Sequence, residues 1–198
     1  LQPAPNWGSA LTAVNVAVLV GLLGVSSYTD CLWRKIPNWA TYTAFLWALA
    51  INAAATLLGV SGLEPAARFP APVGISESLF GAAAGFSVML AVFRLAGSGA
   101  GDVKIAAALG GLLGAGPGVT VIVWCHIAAA VVMVGGLIWQ VGPLALLKVF
   151  ARYVGAKLFP TRIAAPVWSD RKLLCGEVPL APFFAAGTII TFLQGPIL

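Results

Sequence analysis

From Ala10 to Thr29 the chain carries no charged residue, and it returns to apolar runs of this kind five more times. They fall at about 39–60, 74–96, 103–115, 117–142 and 176–195, and their few charges (Glu77, Arg94, Lys104, Glu177) sit towards the ends. A helix of about 20 apolar residues matches the thickness of a bilayer core. Charged residues make up 9% of the chain, against roughly 25% in a soluble domain, so the surface facing water is small. In hydrocarbon the backbone must satisfy its own hydrogen bonds, which leaves helices or closed barrels. The runs lack period-two alternation, which selects helices. The expected fold is an all-α membrane protein, a polytopic bundle of about six transmembrane helices forming one domain over residues 1–198.

Two segments need separate treatment. The fourth run, 103–115, is short for a lone spanning helix and needs protein neighbours, local thinning, or a start below the bilayer surface. Its Gly and Ala content lets neighbouring backbones approach closely. In the loop 143–175, Leu144, Leu147, Ala151, Val154 and Leu158 recur at helical spacing beside Lys148, Arg152 and Lys157. That pattern suits a cytoplasmic interfacial amphipathic helix, or equally a solvated loop helix packed on the bundle. Charge then tests the topology. With six spans and the Asp30 loop in the cytoplasm, ten of the eleven Lys and Arg residues lie inside and Arg68 alone lies outside, the asymmetry that membrane insertion imposes. The N-terminus is then outside.

Other classes find little support. Cys31, Cys125 and Cys175 have no CxxC spacing, so neither a zinc knot nor a redox pair is indicated. No metal or cofactor is expected. The net charge of +5 is dispersed between apolar runs, which speaks for membrane orientation and against nucleic acid as a partner. Residues before the first run hold no Lys or Arg, so the basic region of a cleavable signal is missing.

Six acids serve the whole chain, and two have matching addresses. Asp30 closes the first run. Asp102 opens the fourth, after Gly97-Ser98-Gly99-Ala100-Gly101. In the topology above both lie at the cytoplasmic end of the bundle. An acid at a membrane edge can be a helix cap or a solvated boundary residue, whereas within a bundle it marks function by default. Two carboxyls sharing one proton hydrolyse peptides without metal: the ionised one takes a proton from water while the protonated one polarises the scissile carbonyl. Glycines beside them let backbone approach an extended substrate and adopt positive φ. The competing class is a small proton- or cation-coupled transporter using the same two acids, but no ionisable residue stands near the middle of a span, where such sites usually lie. A third reading is an assembly scaffold whose acids are idle.

The segments Asp30…Arg34-Lys35-Ile36-Pro37-Asn38 and Gly99-Ala100-Gly101-Asp102-Val103-Lys104 resemble the two signatures of type IV prepilin peptidases, GxGD-type aspartyl proteases of bacterial inner membranes. Val178-Pro179-Leu180-Ala181-Pro182 with Gly187 is similar to that family's last-helix pattern. The resemblance implies cleavage of the basic leader of a membrane-bound prepilin, just after a glycine, with Asp30 and Asp102 catalytic and no metal or cofactor. Larger members carry paired CxxC motifs and methylate the new N-terminus. Here the loop after the first span is short and no CxxC exists, so the resemblance is to the short Flp or tight-adherence type, without methyltransferase activity. Archaeal preflagellin peptidases share these motifs.

Gly99, Gly101, Lys104, Pro37 and Asn38 are candidate substrate-binding or site-shaping residues. For Lys104, snorkelling to the interface is the simpler reading. Pro37 and Asn38 shape the turn that aims Asp30, with the Asn side chain bonding nearby backbone. Arg34 and Lys35 read as orientation determinants first and as contacts to anionic lipid headgroups second. Glu177 reads as a solvated acid at a helix start, and His126 as a packed, hydrogen-bonded histidine.

Overall fold

The computed structural model describes residues 7–60, 70–96, 99–158 and 178–194. They form seven helices: α1 Trp7–Trp33, α2 Asn38–Leu57, α3 Ile75–Ala96, α4 Ala100–Leu113, α5 Ala115–Val141, α6 Pro143–Leu158 and α7 Ala181–Gln194. No strand occurs among the described residues. Four stretches are long and apolar enough to cross a membrane: Trp7–Trp33, Asn38–Leu57, Ile75–Leu95 and Ala115–Gln140. The expectation of about six such spans is met by four. Helices α4 and α7 have 14 residues each and reach about 21 Å at 1.5 Å per residue.

The chain divides into two compact units, residues 1–126 with 179–198, and residues 127–178. Within the second unit, α6 exposes Leu144, Leu147, Phe150 and Leu158 along with Lys148 and Arg152. The rest of the loop lies outside the described residues from 159 to 177, as does Glu177.

The first unit is built around α4. Ten of its 14 residues are buried, among them Ile105, Ala106, Ala108, Leu109 and Leu112 with no exposure at all. A helix apolar all round belongs in a core, and α4 packs most heavily on α3 and then on α2. Protein neighbours are therefore what compensates for its short length. Helix α1 turns one stripe inward, Asn15, Leu19, Leu22, Leu23, Ser26 and Asp30, at the spacing of a single helical face. Helix α2 presents a small-residue stripe, Ala40, Ala44, Ala48 and Ala55, which brings backbones close. The outer face of this unit is inverted relative to a soluble protein: Val20, Trp39, Leu46, Trp47 and Phe80 are all exposed, as lipid contact requires.

Glycine sets the spacing between α3 and α4. A Cβ on Gly81 would strike the Gly110 carbonyl oxygen, one on Gly110 the Gly81 oxygen, and one on Gly85 the Ala106 oxygen. The pairs 81 with 110 and 85 with 106 establish an antiparallel crossing in backbone contact. Helix α4 then stops inside the bundle at Gly114, whose φ of 86° is open to glycine but strained for other residues.

Ending a helix among apolar neighbours leaves its last carbonyls to be satisfied. Polar side chains from three helices do this. Asn15 Nδ2 donates to the Leu112 carbonyl at 3.2 Å, Asn52 Nδ2 to Gly111 at 3.1 Å, and Ser78 Oγ to Gly111 at 2.7 Å. Asn52 Oδ1 also accepts from the amides of Val73 and Gly74, at 2.8 and 3.2 Å, and Glu77 Oε1 accepts from Ala115 N at 2.9 Å, capping α5. Replacing Asn52 by Ala strands these buried amides, so thermal unfolding in micelles should register a loss of about 1–2 kcal/mol. Unchanged stability would show that α4 does not depend on this clamp.

Candidate active site

Helix α1 runs three residues past Asp30, to Trp33, so Asp30 lies inside the helix in its last turn. The helix stops at Arg34, ahead of the Pro37 break expected from sequence: Arg34 takes a left-handed φ of 52° and its N–H closes on the Asp30 carbonyl at 3.0 Å. A carboxylate at a helix C-terminus faces the negative end of the helix dipole. Asp30 is matched instead by a different helix, because Ala181 N, in the first turn of α7, donates to Asp30 Oδ2 at 3.1 Å. The stretch Leu180-Ala181-Pro182 starts that helix and delivers the amide.

Asp102 stands at the favourable end of its own helix. Helix α4 begins at Ala100, three residues before the run read from hydropathy, which puts Asp102 in the first turn, where its Oδ2 accepts from Gly99 N at 3.0 Å. Each carboxylate therefore accepts one amide at a helix N-terminus, α4 for Asp102 and α7 for Asp30. The two are 7% and 8% exposed and line a common cavity of about 320 Å³. Asp102 is thus a helix cap that also lines the cavity shared with Asp30.

The cavity is also lined by Arg34, Lys35, Ile36, Asn38, Gly99, Gly101 and Lys104. Of the candidate substrate-binding or site-shaping residues Gly99, Gly101, Lys104, Pro37 and Asn38, Pro37 alone does not line it; Pro37 precedes α2 with φ −69° and its carbonyl accepts from Ala40 N at 3.1 Å. Asn38 bonds a side chain rather than nearby backbone, for its Oδ1 accepts from Lys104 Nζ at 2.7 Å. The same ammonium lies 5.3 Å from the centre of the Tyr42 ring, within cation–π range. Lys104 is accordingly held against α2 in the cavity wall.

The glycines act through room rather than through left-handed backbone. Gly99 has a φ of −71° and neither Gly99 nor Gly101 has positive φ. A Cβ on Gly101 would come within 2.9 Å of Ile36 Cδ1, and one on Gly99 within 3.0 Å of Asp102 Oδ2. The first lets the α1–α2 connection close over α4, and the second leaves space for the capping carboxylate. Gly187 has a related role, since a Cβ there would lie 2.6 Å from the Val121 carbonyl oxygen, so α7 rests directly on the backbone of α5.

Sequence reasoning missed two participants, the Ala181 amide and Tyr42; the Pro-flanked start of α7 carried a signal for the first and nothing in the sequence marks the second. Cys125 is a buried free thiol, its Sγ 3.9 Å from the Leu180 carbonyl oxygen. Among the described residues no group of His, Cys, Asp and Glu side chains is arranged to hold a metal ion.

The sequence pattern of the type IV leader peptidase family matches residues 17–134, a span that contains Asp30, Asp102 and the whole of α2 to α4. No curated protein and no solved structure gives a match. On a match covering well over half of its length, the chain belongs to the type IV leader peptidase family.

Proposed function

We propose that this peptidase is an aspartyl endopeptidase of the bacterial inner membrane that removes the basic leader from Flp-like type IV prepilins. Asp30 and Asp102 are its catalytic pair. The observation that carries this reading is the shared burial of the two carboxylates in one cavity, each on the N-terminus of a different helix.

One carboxyl of the pair is protonated and one ionised, since like charges at close quarters do not both ionise readily. The ionised carboxylate takes a proton from a water molecule, whose oxygen attacks the scissile carbonyl. The protonated carboxyl hydrogen-bonds to that carbonyl and stabilises the developing oxyanion. Collapse of the tetrahedral species returns a proton to the leaving amine and restores the pair. Amide donors at fixed helix ends hold both carboxylates in place throughout, which keeps reorganisation small.

With α4 and α7 as short fifth and sixth crossings, both acids lie at the cytoplasmic edge, where a prepilin leader meets its hydrophobic helix. The substrate is a membrane-bound prepilin, and anionic lipid headgroups face Arg34 and Lys35. The absence of CxxC pairs supports peptidase activity without methylation. Incubating the purified protein with a Flp-type prepilin and S-adenosylmethionine should therefore yield a cleaved product whose new N-terminus has no added methyl mass. A methylated product would remove the short-type assignment, and an uncleaved one the peptidase reading.

A further inference from the structure

The proposed reaction makes no use of α6. This helix holds Lys148, Arg152 and Lys157, and no acid occurs in the chain between Asp102 and Asp170. One glycine fixes where it starts. The stretch Ala115–Gln140 is long and apolar enough to cross a membrane, and two residues beyond it Gly142 takes a left-handed φ of 81°. The Gly142 N–H donates to the Ile138 carbonyl at 2.9 Å, closing α5, and its own carbonyl accepts from Leu146 N at 3.1 Å, opening α6. Pro143 follows at the first helical position, where no N–H is needed. A single residue thus caps both helices, and α6 begins within three residues of the end of a spanning helix.

Crossing the membrane again is not open to α6. Its 16 residues reach about 24 Å, short of the roughly 30 Å hydrocarbon core, and its cations would have to enter that core. At about 100° per residue, Leu144, Leu147, Phe150, Ala151 and Leu158 fall in one arc of about 120°, with the half-buried Val154 among them. The four large side chains are each more than half exposed. Leu146, Val149 and Ala156 lie on roughly the opposite side and are half-buried, so the arc is the open side. Lys148 and Arg152 stand at one edge of the arc, and position 157, a lysine, at the other. An open apolar arc of this kind marks contact with a membrane or a protein. The start of the helix at the end of a span favours the membrane. So do cations at both edges with no acid on the helix, because their stems can lie along acyl chains while their heads reach the headgroups.

We propose that α6 is an anionic-lipid-binding helix. It lies along the membrane surface with Leu144, Leu147, Phe150 and Leu158 below the headgroups and Lys148 and Arg152 among anionic headgroups. This holds whatever reaction the two buried carboxylates perform, and it requires only that α5 spans the bilayer.

A fluorescent label at position 147 tests it in the full chain. Cys31→Ser and Cys175→Ser remove competing thiols, Cys125 is buried, and Leu147→Cys carries the label. In liposomes of phosphatidylcholine containing phosphatidylglycerol, a nitroxide near the headgroup end of an acyl chain should quench this label strongly, and acrylamide in the water weakly. A label on Ala145→Cys, beyond the Arg152 edge of the arc, should show the reverse. Lipid quenching at 147 should fall by about half or more in Lys148→Gln/Arg152→Gln, and likewise in liposomes of phosphatidylcholine alone, since each cation supplies roughly a fivefold preference for an anionic surface. Leu144→Cys, on the same arc, repeats the measurement should a label at 147 disturb the helix. Quenching at 147 by acrylamide and not by lipid overturns the proposal in favour of a solvated helix. Shielding from both quenchers overturns it in favour of a protein cover, a second copy of this chain included. Equal lipid quenching with and without phosphatidylglycerol overturns the choice of an anionic partner.

Discussion

Asp102→Asn and Asp30→Asn should each lower leader cleavage by about 10³-fold, with the protein still inserted and helical. Asparagine preserves the structural half of both residues. An amide oxygen accepts from Gly99 N or from Ala181 N as the carboxylate oxygens now do at 3.0 and 3.1 Å, and Asn caps helices as well as Asp. What it cannot do is take a proton from water or share one with its partner. Cleavage assayed against circular dichroism of the same samples separates the two functions. Near-normal cleavage by either variant would reduce that residue to a cap. Loss of helicity together with cleavage would show that the amide bonds at the ends of α4 and α7 depend on charge.

Gly110→Val has the largest expected effect on stability. Its new side chain meets the Gly81 carbonyl oxygen, a backbone atom that no rotamer change can move aside. The α3–α4 crossing must open, which costs about 3 kcal/mol on the scale of overpacked cores and carries Asp102 away from the cavity. We expect a clear fall in Tm in micelles and loss of cleavage in parallel. Gly21→Ala is the matched control, because a Cβ there has nothing within 4 Å. If both variants melt alike, the close backbone contact is not what holds α4.

The sequence was most informative where physics is local. Uncharged runs identified membrane-spanning helices, and the proposed pairing of Asp30 with Asp102 came from their matching depth, the charge asymmetry and the Gly-x-Gly-Asp string. Boundaries drifted where hydropathy and helix geometry part: α4 starts at Ala100 because Gly99 and Asp102 cap it, three residues ahead of its apolar run. The span count drifted for a related reason. A buried 14-residue helix has its C-terminal carbonyls satisfied by Asn15, Asn52 and Ser78, and no apolar run reveals such a clamp. Hardest to read were contacts between distant segments. The Ala181 amide reaches Asp30 across 151 residues, and Lys104 finds Asn38 and Tyr42 only once α2 and α4 pack. Gly99 and Gly101 lack the positive φ expected of them, and it is side-chain volume that excludes larger residues.

The central claim is that these two buried acids hydrolyse a peptide bond. Its most direct measurement is the product mass when the purified protein, reconstituted in liposomes, is incubated with a Flp-type prepilin. The account predicts two fragments separated just after the leader glycine, formed by the wild-type protein and absent with Asp30→Asn or Asp102→Asn. Intact prepilin accompanied by substrate-dependent proton flux across the liposome membrane would contradict it.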